Sequence, residues 1–243
     1  MLQNGKFLAF DTSTDVMSVA LTDGTRVHQH TGPGGAKAST TLIPAILALL
    51  RDAGLALGDL QAIAFGRGPG SFTGLRTACA VAQGLAFGAN AGAGVPVLPI
   101  DTLMAVAEEA RLQNAATHIT ALLDARMDEM YVQRFSCIDG ALAPLSEAEL
   151  IRPEDLELQA KTLYAGNVFA VYASRLPAGL TGFACLPTAT AMLRLAPGLA
   201  ARGQCVAAAQ ALPLYVRDKV AQTSEERDRA KALKLLAETA GST

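Results

Sequence analysis

The stretch GRGPGSFTGLR, residues 66–76, decides how this chain is read. It packs four glycines and a proline behind an apolar run, Gln61–Phe65, that reads as a strand, and ahead of a helical pattern from about Thr73 to Phe87. A strand end, a glycine loop and a helix N-terminus bring free backbone N–H groups and partial positive charge to one spot, which suits an anion. Ser71 and Thr73 are natural caps for that helix. Three phosphate-binding patterns nevertheless fail. A P-loop needs lysine and a hydroxyl residue after its last glycine, and here Leu75 and Arg76 follow Gly74. A dinucleotide fingerprint read from Gly68 finds Thr73 where its third glycine belongs. A nucleophile elbow does not fit Gly70, Ser71 and Phe72. The pattern leaves two readings open: an anion site, or a structural turn whose glycines supply positive φ and close packing.

Upstream, Phe7–Phe10, a DTST turn, Met17–Leu21, a turn at Asp23 and Gly24, and Arg26–His30 with alternating exposure predict an antiparallel meander. Ser39 or Thr40 caps a helix to about Asp52, with Leu42, Ile43, Ile46, Leu47, Leu49 and Leu50 at helical spacing and Gly54 at its end. Downstream, Val95–Ile100 is a strand, Asp101 caps a helix to about Gln113, and His118–Leu123 and Met130–Phe135 are further strands. This order predicts a mixed sheet with helices packed against it. After Gly140 the pattern loosens to a short helix near Pro153, a brief strand Thr162–Ala165 ended by Gly166, and a helix Ala191–Arg202. LPLYVRDKVA (212–221) reads as extended or irregular, and the charged tail from residue 224 as a solvated helix or frayed end. No tandem repeat is visible.

Composition narrows the classes. Of 243 residues, 51% are hydrophobic and 17% charged, which marks a globular chain. With 20 basic against 22 acidic residues there is no field to attract nucleic acid. No apolar run approaches the ~18 residues of a membrane span, and the start lacks a secretory pattern, so the expected location is the cytoplasm. Four cysteines without CxxC spacing read as buried thiols. His28 and His30, at i and i+2, read as exposed strand histidines. The helix after the glycine loop carries Gly74, Ala78, Ala80, Ala82, Gly84 and Ala86; small residues on several faces admit a close helix neighbour, within the chain or across a subunit contact.

Four blocks, LAFDTSTDVMSVAL (8–21), AFGRGPGSFTGLRTACAVAQGLAFG (64–88), LLDARMDEMY (122–131) and LPLYVRDKVA (212–221), carry a resemblance along nearly the whole chain. In order and spacing they resemble the bacterial TsaB (YeaZ) family, part of the machinery that makes N6-threonylcarbamoyladenosine at position 37 of tRNA. The resemblance implies an α/β, actin-like ATPase (ribonuclease H-like) fold of two lobes, each a mixed β-sheet flanked by helices, the second reduced. Residues 1–104 would be the N-terminal lobe, with the C-terminal tail able to pack back on it, 105–220 the reduced lobe, and 221–243 a charged helix or tail. Asp11 and Thr12 would stand in a degenerate first phosphate loop, Asp11 as a turn-former. The family's catalytic relative, TsaD, carries H-H-x-x-x-H in the matching segment; here its metal positions fall on Thr102 and Val106, so no metal is expected. A second phosphate loop is reduced to Gly166, and Asp124 and Asp128 only imitate catalytic acids.

The implied function is a non-catalytic subunit that binds a TsaD-type threonylcarbamoyltransferase, is joined by a TsaE-like ATPase, pairs with its own copy when alone, and meets tRNA only through the complex. Family precedent puts the contact on the first two helices, through Leu42, Ile46 and Leu49 of one and Leu75, Ala78, Ala82 and Leu85 of the other. Ala82→Arg would then break the pair without unfolding the chain. No cofactor is expected in the isolated chain; ATP or ADP would bind only at the joint surface, offered Gly68, Gly70, Ser71 and Thr73. Ala38 stands where the family often has histidine. The rival readings are a metal-dependent, glycoprotease-like peptidase and an independent ATPase.

Overall fold

Strands β1 (Phe7–Asp11), β2 (Val16–Thr22) and β4 (Ala62–Gly68) are buried on both faces, so their sequences are continuous apolar runs with a hidden alternation. Large side chains, Leu8, Phe10, Met17, Val19, Leu21, Ile63 and Phe65, point to one face. Small ones, Ala9, Ala20, Ala62 and Ala64, point to the other. With β3 (Val27–Pro33) and β5 (Val97–Asp101) these strands form a sheet of order β3-β2-β1-β4-β5, antiparallel across the meander and parallel from β1 to β5. Helices α1 (Ala38–Ala53) and α2 (Phe72–Gly88) cover the face of large residues. The computed structural model describes residues 5–217 other than 139 and 181; the expected tail at 221–243 lies outside the described residues.

The second sheet, β11-β10-β6-β7-β8, is built from β6 (His118–Arg126), β7 (Glu129–Ile138), β8 (Ala141–Pro144), β10 (Leu163–Gly166) and β11 (Gly182–Ala184), with β9 (Glu149–Ile151) paired to β7. Read from β8, its order and directions repeat those of the first sheet: an antiparallel meander, then two parallel strands. The crossovers are what shrink. No α-helix stands between β8 and β10, where the short helix expected near Pro153 is a single 3-10 turn, Pro153–Asp155, and the helix after β10, α4 (Val168–Val171), is one turn.

Helix α3 (Thr102–Asn114) buries Leu103, Val106, Ala107 and Ala110 against the second sheet. Helix α5 (Ala189–Ala201) does not stay with that sheet. Its Ala189, Met192, Leu193, Ala196 and Leu199 pack on the alanine-lined face of the first one, so the boundary drawn at 105–220 does not follow the packing. The small residues of that face let α5 approach closely. Glu108, 2% exposed, pairs with Arg111 and with Arg194 of α5, and Glu109 also reaches Arg194, which ties α3 to α5 between the sheets.

Several local expectations need correction. Ser39 and Thr40 do not cap α1: a 3-10 turn, Gly35–Lys37, runs straight into the helix, and their hydroxyls donate back to Ala36 and Lys37 carbonyls. Ser71 and Asp101 stand at the N-caps of α2 and α3 without a side-chain cap bond, and Thr73 lies inside the first turn of α2. Asp101 is instead paired with Arg67. Strand β3 does not alternate: it is the sheet edge, and most of its residues are exposed. Gly54 ends α1 as expected, at φ 67°.

Candidate functional site

All four sequence blocks meet at one cleft of about 410 Å³ between the sheets. It is lined by the β1–β2 turn (Ser13–Asp15), the start of α2 (Gly70–Thr73), the β6–β7 hairpin (Leu123–Met127) and residues 214–217.

The glycine stretch is mostly strand and helix. β4 runs to Gly68 and α2 starts at Phe72, so the loop proper is three residues long. Its glycines are set by close approach to the β1–β2 turn. A Cβ at Gly70 would lie 2.6 Å from the Ser13 side chain, and one at Gly74 would lie 1.9 Å from the Thr12 carbonyl oxygen. One at Gly66 would overlap the Asp11 carboxylate at 1.8 Å. The Ser71 amide donates to the Ser13 carbonyl (2.7 Å) and the Thr12 hydroxyl to the Gly74 carbonyl (2.7 Å). Of the two readings left open, the structural turn therefore accounts for these glycines, while Phe72 and Thr73 at the start of α2 line the cleft.

Asp11 and Thr12 are fully buried and do not line the cleft, so neither occupies a phosphate-loop position open to a ligand. Asp11 accepts from the Ser13 amide (2.8 Å) and hydroxyl (2.6 Å) and from Thr102 (3.4 Å). Burial pushes its carboxyl above the usual value in spite of these bonds. Gly70, Ser71 and Thr73 do line the cleft; Gly68 does not, because the Leu214 carbonyl covers it.

The opposite wall is a strained hairpin. Arg126, Met127 and Asp128 are consecutive non-glycine residues at φ 61°, 55° and 62°, a left-handed run that costs on the order of 1 kcal/mol per residue. Side chains hold it. Asp124 accepts from the Arg126 amide (2.9 Å) and from the Tyr172 hydroxyl (2.7 Å), which also donates to the Glu129 carbonyl (3.0 Å). The Asp124 amide donates to Asn167 (2.8 Å). Burial, then the neighbouring Asp124, pushes the Tyr172 phenol up from its ordinary value. Asp128 pairs with Arg175 (2.7 Å) at the surface. Of the acidic side chains that imitate catalytic acids, Asp124 is thus engaged within the hairpin and Asp128 with Arg175.

The remaining candidates fall into the core or the surface. Thr102 is buried beside Asp11 and Val106 beneath the second sheet. Ala38 is buried at the start of α1. Of the cysteines only Cys79 is fully buried; Cys137, Cys185 and Cys205 are half-buried. Burial lifts the Cys185 thiol to about 12. Among the described residues no three His, Cys, Asp or Glu side chains converge as metal ligands.

The residues assigned to a partner contact need the largest correction. Leu42, Ile46, Leu49, Leu75, Ala78 and Ala82 are buried inside this chain, and Leu85 is half-buried. All but Leu75, which borders the cleft beside Gly68, pack α1 and α2 onto the first sheet. The outward faces of the same helices carry Ile43 (42% exposed), Leu47 (51%) and Phe87 (73%), with exposed Ala80 and Gly84. The run LIPAILALL is apolar all round its helix, so periodicity could not separate the inner stripe from the outer one.

A family model described as TsaD, tRNA N6-adenosine threonylcarbamoyltransferase, matches residues 23–240. Proteins named tRNA threonylcarbamoyladenosine biosynthesis protein TsaB, from Escherichia coli (strain K12) and Haemophilus influenzae, are 34% and 35% identical to this chain. The matches cover 89% and 90% of it and 96% of each relative. The solved structure of YeaZ from Pseudomonas aeruginosa superposes with a TM-score of 0.79 at 38% identity, covering 87% of this chain and 99% of that one. The chain belongs to the TsaB (YeaZ) family. Its fold is accordingly the actin-like, two-lobe α/β plan with a reduced second lobe. No helix among the described residues is long and apolar enough to cross a membrane.

In this TsaB-family chain the sequence reading missed how the cleft is bound together. Tyr215 stacks on Phe72 at 4.5 Å, and Arg76 lies 4.0 Å over the Phe72 ring. Arg126 spans the cleft to Asp15 (2.7 Å), and Arg217 pairs with Glu129 (2.7 Å). The signal was present as the pairing of an aromatic and an arginine in LPLYVR, but nothing local says what they touch.

Proposed function

We propose that this protein is a non-catalytic subunit of the apparatus that forms N6-threonylcarbamoyladenosine at position 37 of tRNA, where it binds and supports a TsaD-type threonylcarbamoyltransferase. The observation that carries the reading is the likeness, over about nine-tenths of the chain, to relatives named for threonylcarbamoyladenosine biosynthesis. The site geometry agrees: Asp11 behind the cleft and Asp124 within it hold turns, and Asp15 at its rim is paired with Arg126. A TsaE-like ATPase joins the pair, tRNA is met through the complex, and the assembly works in the cytoplasm. ATP or ADP, if bound, sits at the joint surface against the start of α2, at Gly70, Ser71 and Thr73, with Gly68 behind them.

The partner face is the outward side of α1 and α2, which carries exposed Ile43, Leu47, Ala80, Gly84 and Phe87. In the free chain the same face pairs with its own copy. Ala82→Arg is no longer a fair test, since Ala82 is fully buried and a charge there would break the core. Gly84→Arg is. An added Cβ at Gly84 meets nothing within 4 Å, so the variant should fold, with thermal stability close to wild type. It should lose co-purification with the co-expressed transferase subunit, because an unpaired charge in a desolvated helix contact costs several kcal/mol. Wild-type co-elution of a folded Gly84→Arg chain would refute this interface.

A further inference from the structure

Residues 211–217 have no regular secondary structure, yet they are fastened to both halves of the fold. The Ala211 carbonyl accepts from Cys79 (3.0 Å) and Gln83 (2.8 Å) of α2. The Leu214 amide donates to the Arg67 carbonyl at the end of β4 (2.7 Å). Tyr215 stacks on Phe72, and its hydroxyl accepts from Arg76 (3.4 Å). Every one of these contacts is to the first-sheet half. Two residues later Arg217 is on the other side of the cleft: it donates to the Ala125 (3.1 Å) and Arg126 (3.2 Å) carbonyls and pairs with Glu129 (2.7 Å).

We propose that residues 211–217 are an interlobe strap that sets the width of the cleft, with Arg217 as the positioning residue that holds the left-handed β6–β7 turn against the first sheet. The chemistry of the anchor supports this. One guanidinium nitrogen, Nη2, faces the two carbonyls and the carboxylate on a side chain only 14% exposed, and such charge-assisted bonds are stronger than neutral ones. Its two carbonyl partners enter the turn that leaves the common regions of backbone space, so the strap grips the hairpin where it is least stable by itself. Among the described residues, the other ion pair across the cleft, Arg126 to Asp15, is 68% and 82% exposed, and exposed pairs contribute little. The Glu108–Arg194 pair joins α3 to α5 away from the cleft, so at the cleft itself the strap carries the fixation. This inference does not depend on which partner the protein binds.

Hydrogen exchange followed by mass spectrometry on the full chain tests it, with Tyr215→Ala, Tyr215→Phe and Arg217→Ala beside the wild type. Tyr215 contacts the first-sheet half, so a merely local role predicts faster exchange only near α2. A strap predicts that Tyr215→Ala also speeds exchange in hairpin peptides covering 122–131, by about tenfold, as Arg217→Ala does, while β1 and β4 peptides keep wild-type rates. Tyr215→Phe keeps the ring stack and should stay within about twofold of wild type. Hairpin exchange at the wild-type rate in Tyr215→Ala would overturn the proposal. So would equal acceleration in β1 and β4, which would mean general destabilisation.

Discussion

Replacing Gly74 by alanine probes the contact on which the cleft is built. The added Cβ would lie 1.9 Å from the Thr12 carbonyl oxygen, where no real Cβ comes closer than 3.0 Å. Both groups belong to backbone, so no side chain can swing aside; the start of α2 must retreat from the β1–β2 turn by about 1 Å. That motion breaks the Thr12 hydroxyl bond to the Gly74 carbonyl and the Ser71 amide bond to the Ser13 carbonyl. Two bonds at about 1 kcal/mol each and about 1–3 kcal/mol of overpacking oppose a gain of about 1 kcal/mol from better helix propensity. The expected net loss is about 2–4 kcal/mol, read in urea unfolding as a midpoint lower by roughly 1 M. Thr12→Val removes one hydroxyl bond without crowding and should cost about 1–2 kcal/mol. A Gly74→Ala chain within about 0.5 kcal/mol of wild type would refute the view that close packing, rather than ligand contact, dictates glycine here.

Two further substitutions address the turns behind the cleft. Burial raises the Asp11 pKa in the folded chain above 3.8, so the folded state keeps a proton that the unfolded state has released. Stability from this group then declines as pH rises from 3.8 through the folded value. Asp11→Asn has no proton to lose and should gain relative to wild type as pH climbs through that window; parallel urea midpoints for the two chains across it would contradict the assignment. Tyr172→Phe takes away the donor shared by Asp124 and the Glu129 carbonyl, and should cost about 1–3 kcal/mol, several degrees in a thermal melt. An unchanged melting temperature would show that Arg126 alone satisfies Asp124.

The strand–turn–helix at 62–88 and the meander before it were legible because their apolar runs are long and bounded by glycine and aspartate turns. Strands β8, β9 and β11 were not, since four or three residues carry no measurable period. The repeated strand order escaped notice for a related reason: the helices that would mark the second crossovers are missing or one turn long. The docking of α5 on the first sheet could not be read from its own stripe, which says only that one side is apolar. The alanines at 9, 20, 62 and 64 held the complementary hint. In the site, the glycine positions stand out in the sequence, but whether a glycine admits a phosphate or a neighbouring carbonyl depends on what the fold brings opposite it.

The placement of α5 has a consequence during synthesis. Strands β1 to β5 are complete once residue 101 has been added, yet the alanine-lined side of their sheet waits for residues 189–201. At ordinary elongation rates that interval is on the order of ten seconds. For that time the nascent chain carries a finished sheet whose alanine side has only the start of α3 against it, so much hydrocarbon stays in water until α5 arrives.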